Sequence, residues 1–216
     1  MTRRIGLFGG TFDPVHLGHL HAAEVLLDEY SLSEIFFIPA YQPVHREQPL
    51  ATSDQRLEML QLCLSGSEHL FLDCREVNRG GASYALYTLQ EYRSEYPEDE
   101  LFFIIGTDAF NAIDSWHEWQ SLFDYCHFIV LPRPGYTLQY SPAVQSHIDS
   151  LAADEQSEDV TPKTGQVLLS KRAMLELSAT QVRTAIQNKQ NITALISEKV
   201  AQYIEDHNIY AKDLLK

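Results

Sequence analysis

Residues 4–19 read Arg4-Ile5-Gly6-Leu7-Phe8-Gly9-Gly10-Thr11-Phe12-Asp13-Pro14-Val15-His16-Leu17-Gly18-His19, and they decide the fold. Arg4 to Phe8 is a short, mostly apolar run that stops at a glycine pair. That is the pattern of a buried strand ended by a turn. Leu17 to Tyr30 then sets Leu20, Ala23, Leu26 and Leu27 at helical spacing, with Glu24 and Asp28 elsewhere. Two glycines let the backbone turn tightly and let a ligand come close. The amino end of the helix that follows points its positive pole at the same turn, which favours an anion. His16 and His19 are three residues apart, so one helical face carries both toward it.

Outward from this unit the chain alternates. Strands are expected at Glu34–Ile38, Leu70–Asp73, Glu100–Ile105, His127–Leu131 and Val167–Leu169. Helices are expected at Ser53–Leu64, with Leu57, Leu60 and Leu64 on one face, and at Tyr84–Glu95, Trp116–Phe123 and Ala179–Asn188. A last amphipathic helix is expected at Thr193–His207, with Ile196, Val200 and Tyr203 on its face. Apolar strands alternating with helices predict an α/β fold: a Rossmann-like, doubly wound parallel sheet with a small C-terminal helical subdomain. One domain is expected over 1–216. Its sheet-and-helix core is 1–176, and the helical part is 177–216. Residues 133–165 are rich in Pro, Ser, Asp, Glu and Gln with weak periodicity. They are read as a surface excursion, partly mobile. Ligands of such sheets sit at the carboxyl ends of strands where strand order reverses. Gly9 to His19 and Gly106 to Asp108 both follow strands.

Composition narrows the function. Sixteen basic against 30 acidic residues give a net charge of −14, which repels nucleic acid and anionic lipid. A phosphate site must then be built locally, from a few cations and N–H groups. No apolar run approaches the roughly 20 residues of a bilayer span, and the start is too short for a signal peptide. Cys63, Cys74 and Cys126 are odd in number and show no CxxC pairing, so they read as reduced, buried thiols of a cytoplasmic protein. The P-loop, the GxGxxG fingerprint and the GxSxG elbow are all missing.

A second phosphate element stands at Leu177-Ser178-Ala179-Thr180-Gln181-Val182-Arg183. Ser178 and Gln181 form an S-x-x-Q capping box, which by itself only starts a helix. The cap leaves Thr180 and Arg183 unexplained. They lie i, i+3 on the first turn, where a hydroxyl and a guanidinium converge on an anion.

GGTFDPVHLGH followed far downstream by a Ser-Ala-Thr-x-x-Arg helix start resembles the nucleotidyltransferases with HxGH and SxTxxR-type motifs. Within them the chain resembles the bacterial nicotinate-mononucleotide adenylyltransferases, nearly end to end. Further matching stretches are Pro43-Val44-His45-Arg46, Gln55-Arg56-x-x-Met59-Leu60, Ser83-Tyr84 with Thr88-Leu89, Ile105-Gly106-Thr107-Asp108, Trp116, Arg133-Pro134-Gly135, and the ending Tyr203-Ile204 through Ile209-Tyr210. Val44, Arg46 and Ala85 depart from the residues usual in that family.

The resemblance implies transfer of AMP from ATP to nicotinate mononucleotide, giving deamido-NAD and pyrophosphate. His16, His19 and Arg183 are the implied catalytic residues. Gly9, Gly10, Thr11, Phe12, Gly18, Arg46, Gly106, Asp108, Arg133, Ser178 and Thr180 are implied around ATP, with Asp108 on a ribose hydroxyl. His45, Tyr84, Ala85, Thr88, Trp116 and His117 are implied around the mononucleotide. There Trp116 stacks on the pyridine ring, and Ala85 and His117 act through main-chain N–H groups. Mg²⁺ is implied as a bridging cation held by phosphate and water, without protein ligands. The expected partners are these small molecules alone, with no nucleic acid or membrane, on a monomer or homodimer. Three rival readings remain: an adenylyltransferase for nicotinamide mononucleotide or phosphopantetheine, a non-catalytic nucleotide sensor, and a HxxH metal hydrolase. The last lacks an evident third ligand.

Overall fold

The computed structural model describes residues 2–44, 48–133, 135–154, 164–172 and 174–211. The elements run β1 (Arg4–Gly10), α1 (Leu17–Glu29), β2 (Glu34–Pro39), α2 (Ser53–Leu64), β3 (Leu70–Leu72) and α3 (Arg75–Arg79). Then come α4 (Ala85–Glu95), β4 (Glu100–Gly106), α5 (Thr107–Phe110), a 3₁₀ turn at Ile113–Ser115, α6 (Trp119–Leu122) and β5 (His127–Leu131). The last are α7 (Pro142–Asp154), β6 (Val167–Leu169), α8 (Ala179–Gln187) and α9 (Glu198–Asp206). The six strands lie in the order β3-β2-β1-β4-β5-β6. Strands β1 and β4 are parallel, with Leu7 opposite Phe103, and β4 and β5 are parallel, with Ile104 opposite Ile129. Every residue of β5 is buried, as a strand covered on both faces requires. The doubly wound, Rossmann-like sheet is thus present.

The chain divides into two compact units. The first comprises Met1–Gly9, Leu26–Ile35 and Tyr84–Arg172. Its core contains Ile5, Leu7, Leu101, Ile104, Phe110, Phe123, Phe128 and Ile129, all nearly inaccessible. Gly6 belongs to that packing: a Cβ there would lie 2.8 Å from Ile35 Cγ1 and 3.1 Å from Ile104 Cδ1. At the end of α1, Glu29 accepts from the Ser170 hydroxyl at 2.6 Å and the Lys171 amide at 2.9 Å.

Within the expected excursion a 13-residue helix, α7, stands instead of irregular chain. Pro142 suits its first turn, the Ser141 hydroxyl accepts from Val144 N at 3.3 Å, and Gln145 donates to Asp149 one turn on at 2.8 Å. Val144 is buried, and Leu151 lies 3.3 Å from where a Gly165 Cβ would be. The apolar triad Val144, Ile148 and Leu151 carries the helical period inside a polar composition.

The second unit comprises Gly10–Val25, Phe36–Ser83 and Ala173–Lys216. In it α2 packs on α9 and β3. The buried stripe of α2 is Arg56, Met59, Leu60 and Leu64, so the face is rotated from the expected one and includes an arginine. Thr52 and Gln55 form its capping box. Helix α9 begins after Ser197, not at Thr193, because the Ser197 hydroxyl caps Val200 N while Leu195 and Ile196 close a separate turn onto Ile192 O. All three cysteines are free thiols, but only Cys126 is fully buried; Cys63 and Cys74 are half-buried. No helix among the described residues is long and apolar enough to cross a membrane.

Gly6→Ala should lower unfolding free energy by about 1–3 kcal/mol, the scale of core overpacking. Urea unfolding followed by circular dichroism measures it, and an unchanged midpoint would contradict the packing described for β1.

Candidate active site

In the second unit the glycine turn and the start of α8 come together. Arg183 Nη1 donates to the main-chain oxygen of Asp13 at 2.7 Å and lies 3.8 Å from Asp13 Oδ2. Its Nη2 reaches Thr180 Oγ1 at 3.4 Å. Leu177, just before α8, stands where a Cβ on Gly18 would come within 3.2 Å of its own Cβ. The same added Cβ would lie 3.0 Å from His16 Nδ1. Glycine at 18 therefore admits both the His16 ring and the approach of the α8 segment.

The two histidines are stacked, with centroids 3.7 Å apart and planes 20° from parallel. The His16 amide donates to His19 Nδ1 at 3.2 Å. An accepting Nδ1 puts the proton of a neutral imidazole on Nε2, so His19 is fixed as an Nε2–H donor. The Phe12 ring meets His19 edge-on at 5.0 Å and Phe37 at 5.5 Å. Phe12 is 2% exposed, so its side chain backs the His19 ring from within the core and does not line an open surface. Gly10 is needed beneath it, since a Cβ there would lie 2.9 Å from the Phe12 ring.

Some expected donors are already committed. Leu17 N–H donates to Leu195 O and His19 N–H to His16 O, both at 2.9 Å, so α1 presents fewer open amides than a bare helix start. What it keeps is its dipole. The Ser178 hydroxyl and amide are spent on Gln181, in the capping box the sequence predicts. Ser178 is therefore placed as a cap, while Arg183 reaches the Asp13 main chain and the Thr180 hydroxyl.

Residues the sequence reading did not single out hold the turn in place. Asp13, 6% exposed, accepts from Leu50 N at 2.9 Å, Ala51 N at 3.0 Å and the Tyr210 hydroxyl at 2.7 Å. Arg56, 1% exposed, donates to Thr11 O at 2.8 Å and to Ser53 Oγ at 3.3 Å. Burial lowers the Arg56 pKa, and the Asp13 charge opposes that shift. The signal available in the sequence was Arg56 itself, a charge on the apolar stripe of α2. His45 and Arg46 lie outside the described residues.

The first unit holds the remaining candidates. Gly106 ends β4, where a Cβ would lie 2.5 Å from Arg133 Nε and 2.6 Å from Asp108 Oδ1. Those two groups pair at 3.1 Å. Gly9 is likewise tight, with its would-be Cβ 3.1 Å from the Phe103 ring. Tyr84 lies against His117, with centroids at 4.6 Å, and the Tyr87 hydroxyl is 3.4 Å from His117 Nε2. Tyr84 precedes α4 without capping it through its side chain, so Ala85 opens a helix end lacking a side-chain cap. Trp116 is half-buried, edge-on to Phe103 at 6.2 Å. Thr88 is fully buried in α4, which places its hydroxyl in the core. Among the described residues no group of three or more His, Cys, Asp or Glu side chains is arranged to hold a metal ion. A HxxH hydrolase gains no support from that arrangement.

A family model described as cytidylyltransferase-like matches residues 7–185. A Pseudomonas paraeruginosa protein named a probable nicotinate-nucleotide adenylyltransferase is 38% identical over 213 residues, covering 97% of this chain and 98% of its own length. One of the same name from Methylococcus capsulatus is 35% identical over 209 residues, covering 96% of this chain and 100% of its own. Among solved structures, a Plasmodium falciparum nicotinic acid mononucleotide adenylyltransferase complexed with NaAD superposes with a TM-score of 0.74 at 18% identity, over 96% of this chain and 97% of that one. That likeness concerns the fold. From the family model and these near full-length relatives, the chain belongs to the nicotinate-nucleotide adenylyltransferase family of cytidylyltransferase-like proteins.

Proposed function

We propose that this enzyme transfers AMP from ATP to nicotinate mononucleotide, releasing pyrophosphate, with the whole chain serving as one nucleotidyltransferase domain in the cytoplasm. The single observation that carries the phosphate assignment is the hydrogen bond from Arg183 to the Asp13 main chain, which brings both phosphate motifs to one place. A phosphate oxygen of the mononucleotide attacks the α-phosphorus of ATP in line. The bond from that phosphorus to the α–β bridging oxygen breaks, and pyrophosphate leaves with the electron pair. A phosphate monoester has its second pKa near about 6, so the nucleophile is already largely dianionic at neutral pH. No general base is required, and the site residues described supply positioning and charge stabilisation.

The resemblance and the geometry together support the following roles. His19, with its proton on Nε2, donates to the α-phosphate as charge builds on it, and His16 stacks behind it. Arg183 and Thr180 hold the β- and γ-phosphates and the departing pyrophosphate. Gly10 and Thr11 form the loop beside the phosphates. Mg²⁺ would be bound with ATP, chiefly through phosphate and water, and would supply charge neutralisation on the triphosphate. Asp108, paired with Arg133, accepts from a ribose hydroxyl. Main-chain N–H groups at Ala85 and His117 bind the nicotinate carboxylate. The uncapped start of α4 supports this, since a helix amino end favours an anion over a neutral amide.

His19→Ala should keep the fold and lower kcat by at least about 10²-fold, the scale of one oxyanion-type donor. Steady-state turnover with ATP and the acid acceptor measures it, and near-native turnover would remove the histidine from the mechanism. In side-by-side assays the acid mononucleotide should be preferred over the amide by about tenfold or more in kcat/KM, because the amide lacks the charge the α4 end attracts. Equal rates would move the assignment to a dual-acceptor enzyme.

A further inference from the structure

Tyr210 is a buried polar residue that the mechanism above leaves without a role. It lies near the end of the chain, 197 positions from Asp13, yet its hydroxyl donates to Asp13 Oδ1 at 2.7 Å in a buried setting. Its ring is 3% exposed. Burial first, and then the Asp13 charge, push the phenol far above its ordinary pKa, so it stays a donor.

The carboxylate of Asp13 faces two cations, and the way it is satisfied differs between them. Oδ1 accepts from Ala51 N and Tyr210 Oη, and Oδ2 accepts from Leu50 N. These donors are all neutral. Arg183 stays 3.8 Å from Oδ2, beyond hydrogen-bond range, and is anchored through the Asp13 main-chain oxygen instead. Arg56, fully buried, also interacts with the Asp13 charge. Asp13 and Arg56 thus offset each other in the interior. The Arg183 guanidinium is a quarter exposed and only loosely paired with Oδ2.

We propose that Tyr210 is a positioning residue: by holding Oδ1 of Asp13, its hydroxyl keeps the carboxylate from drawing Arg183 out of its long ion pair with Oδ2 into a close, hydrogen-bonded one, and so leaves Arg183 to the triphosphate. Remove the hydroxyl, and Oδ1 has a vacant acceptor site in a low-dielectric interior. The cheapest new donor is the guanidinium already nearby, because a charge-assisted pair is the stronger bond. Arg183 then turns inward and the phosphates lose it. This rests on the reading of Arg183 as a triphosphate ligand.

The experiment is a double-mutant cycle on the full chain, with Tyr210→Phe, Arg183→Ala and the pair. Kinetics are measured against ATP and against nicotinate mononucleotide, and pyrophosphate affinity by titration calorimetry. Tyr210→Phe should lower kcat/KM for ATP and weaken pyrophosphate by about tenfold, the scale of one hydrogen bond to a charged group, with the mononucleotide KM within about twofold. In the Arg183→Ala background it should change neither. Native-like ATP kinetics for Tyr210→Phe beside an impaired Arg183→Ala overturn the proposal alone. So does an equal Tyr210→Phe loss in both backgrounds, which would mark a general structural ring. A fully active Arg183→Ala overturns the triphosphate reading and this proposal together. Should Tyr210→Phe fail to fold, Leu50→Pro takes its place in the cycle. That change deletes the amide donor to Oδ2 at an exposed position, and the same losses support or overturn the proposal.

Discussion

The 2.7 Å hydrogen bond from Arg183 to the main chain of Asp13 is the constraint on which the proposed chemistry depends. It joins residues 170 apart in sequence and sets the first turn of α8 beside the glycine turn after β1. Each part alone is ordinary. A glycine turn before a helix is a common connector, and a Ser-x-x-Gln box is a common helix start. Their juxtaposition brings a guanidinium and a hydroxyl to the turn that carries the two stacked imidazoles. Phosphoryl and nucleotidyl transfer need little more from a protein than such positioning and charge.

Gly18 shows how tightly that juxtaposition is packed. Its missing side chain leaves room for the His16 ring on one side and the approach of Leu177 on the other. The glycine of the His-x-Gly-His pattern is thus a steric requirement shared by both phosphate motifs. Phe12, with a positive φ of 50°, plays the complementary part, filling the interior behind His19 so that the donor ring is held from both sides. A donor so held loses little conformational freedom when a phosphate arrives, which is the physical content of preorganisation.

The strands and main helices were legible because their signal is local. Runs such as Leu101–Ile105 and Phe128–Leu131 are apolar throughout, as strands covered on both faces must be. Helix α7 was obscured because its sparse apolar period sits among Ser, Gln and Asp. The start of α9 was displaced because Ile196 fits a helical period while belonging to the preceding turn. At the site, the motif residues were legible as a set, but not their division of labour. Ser178, Phe12 and Thr88 fall inside matching stretches, yet the fold uses their side chains for a cap, a core ring and a buried hydroxyl. Asp13, Arg56 and Tyr210 were hidden for the opposite reason. All three lie in stretches that carry the family resemblance, but their roles lie in long-range pairing, and no local pattern encodes that Tyr210 will meet a residue 197 positions away.

An acidic chain handling two polyanions looks like a conflict, and locality resolves it. With a net charge of −14, the distant field of the protein opposes ATP. At physiological ionic strength that field is screened within about 8 Å, so surface carboxylates count for little once the ligand is seated. The near field decides, and there the only strongly placed anion is the Asp13 carboxylate among the residues described around the turn. It is buried, held by neutral donors and offset by Arg56, which cannot reach solvent. Arg183, a quarter exposed and only loosely paired with Asp13 Oδ2 at 3.8 Å, is the cation of this cluster nearest solvent. On the proposed reading, selectivity for phosphate arises from where one anion has been hidden as much as from where the cation has been shown.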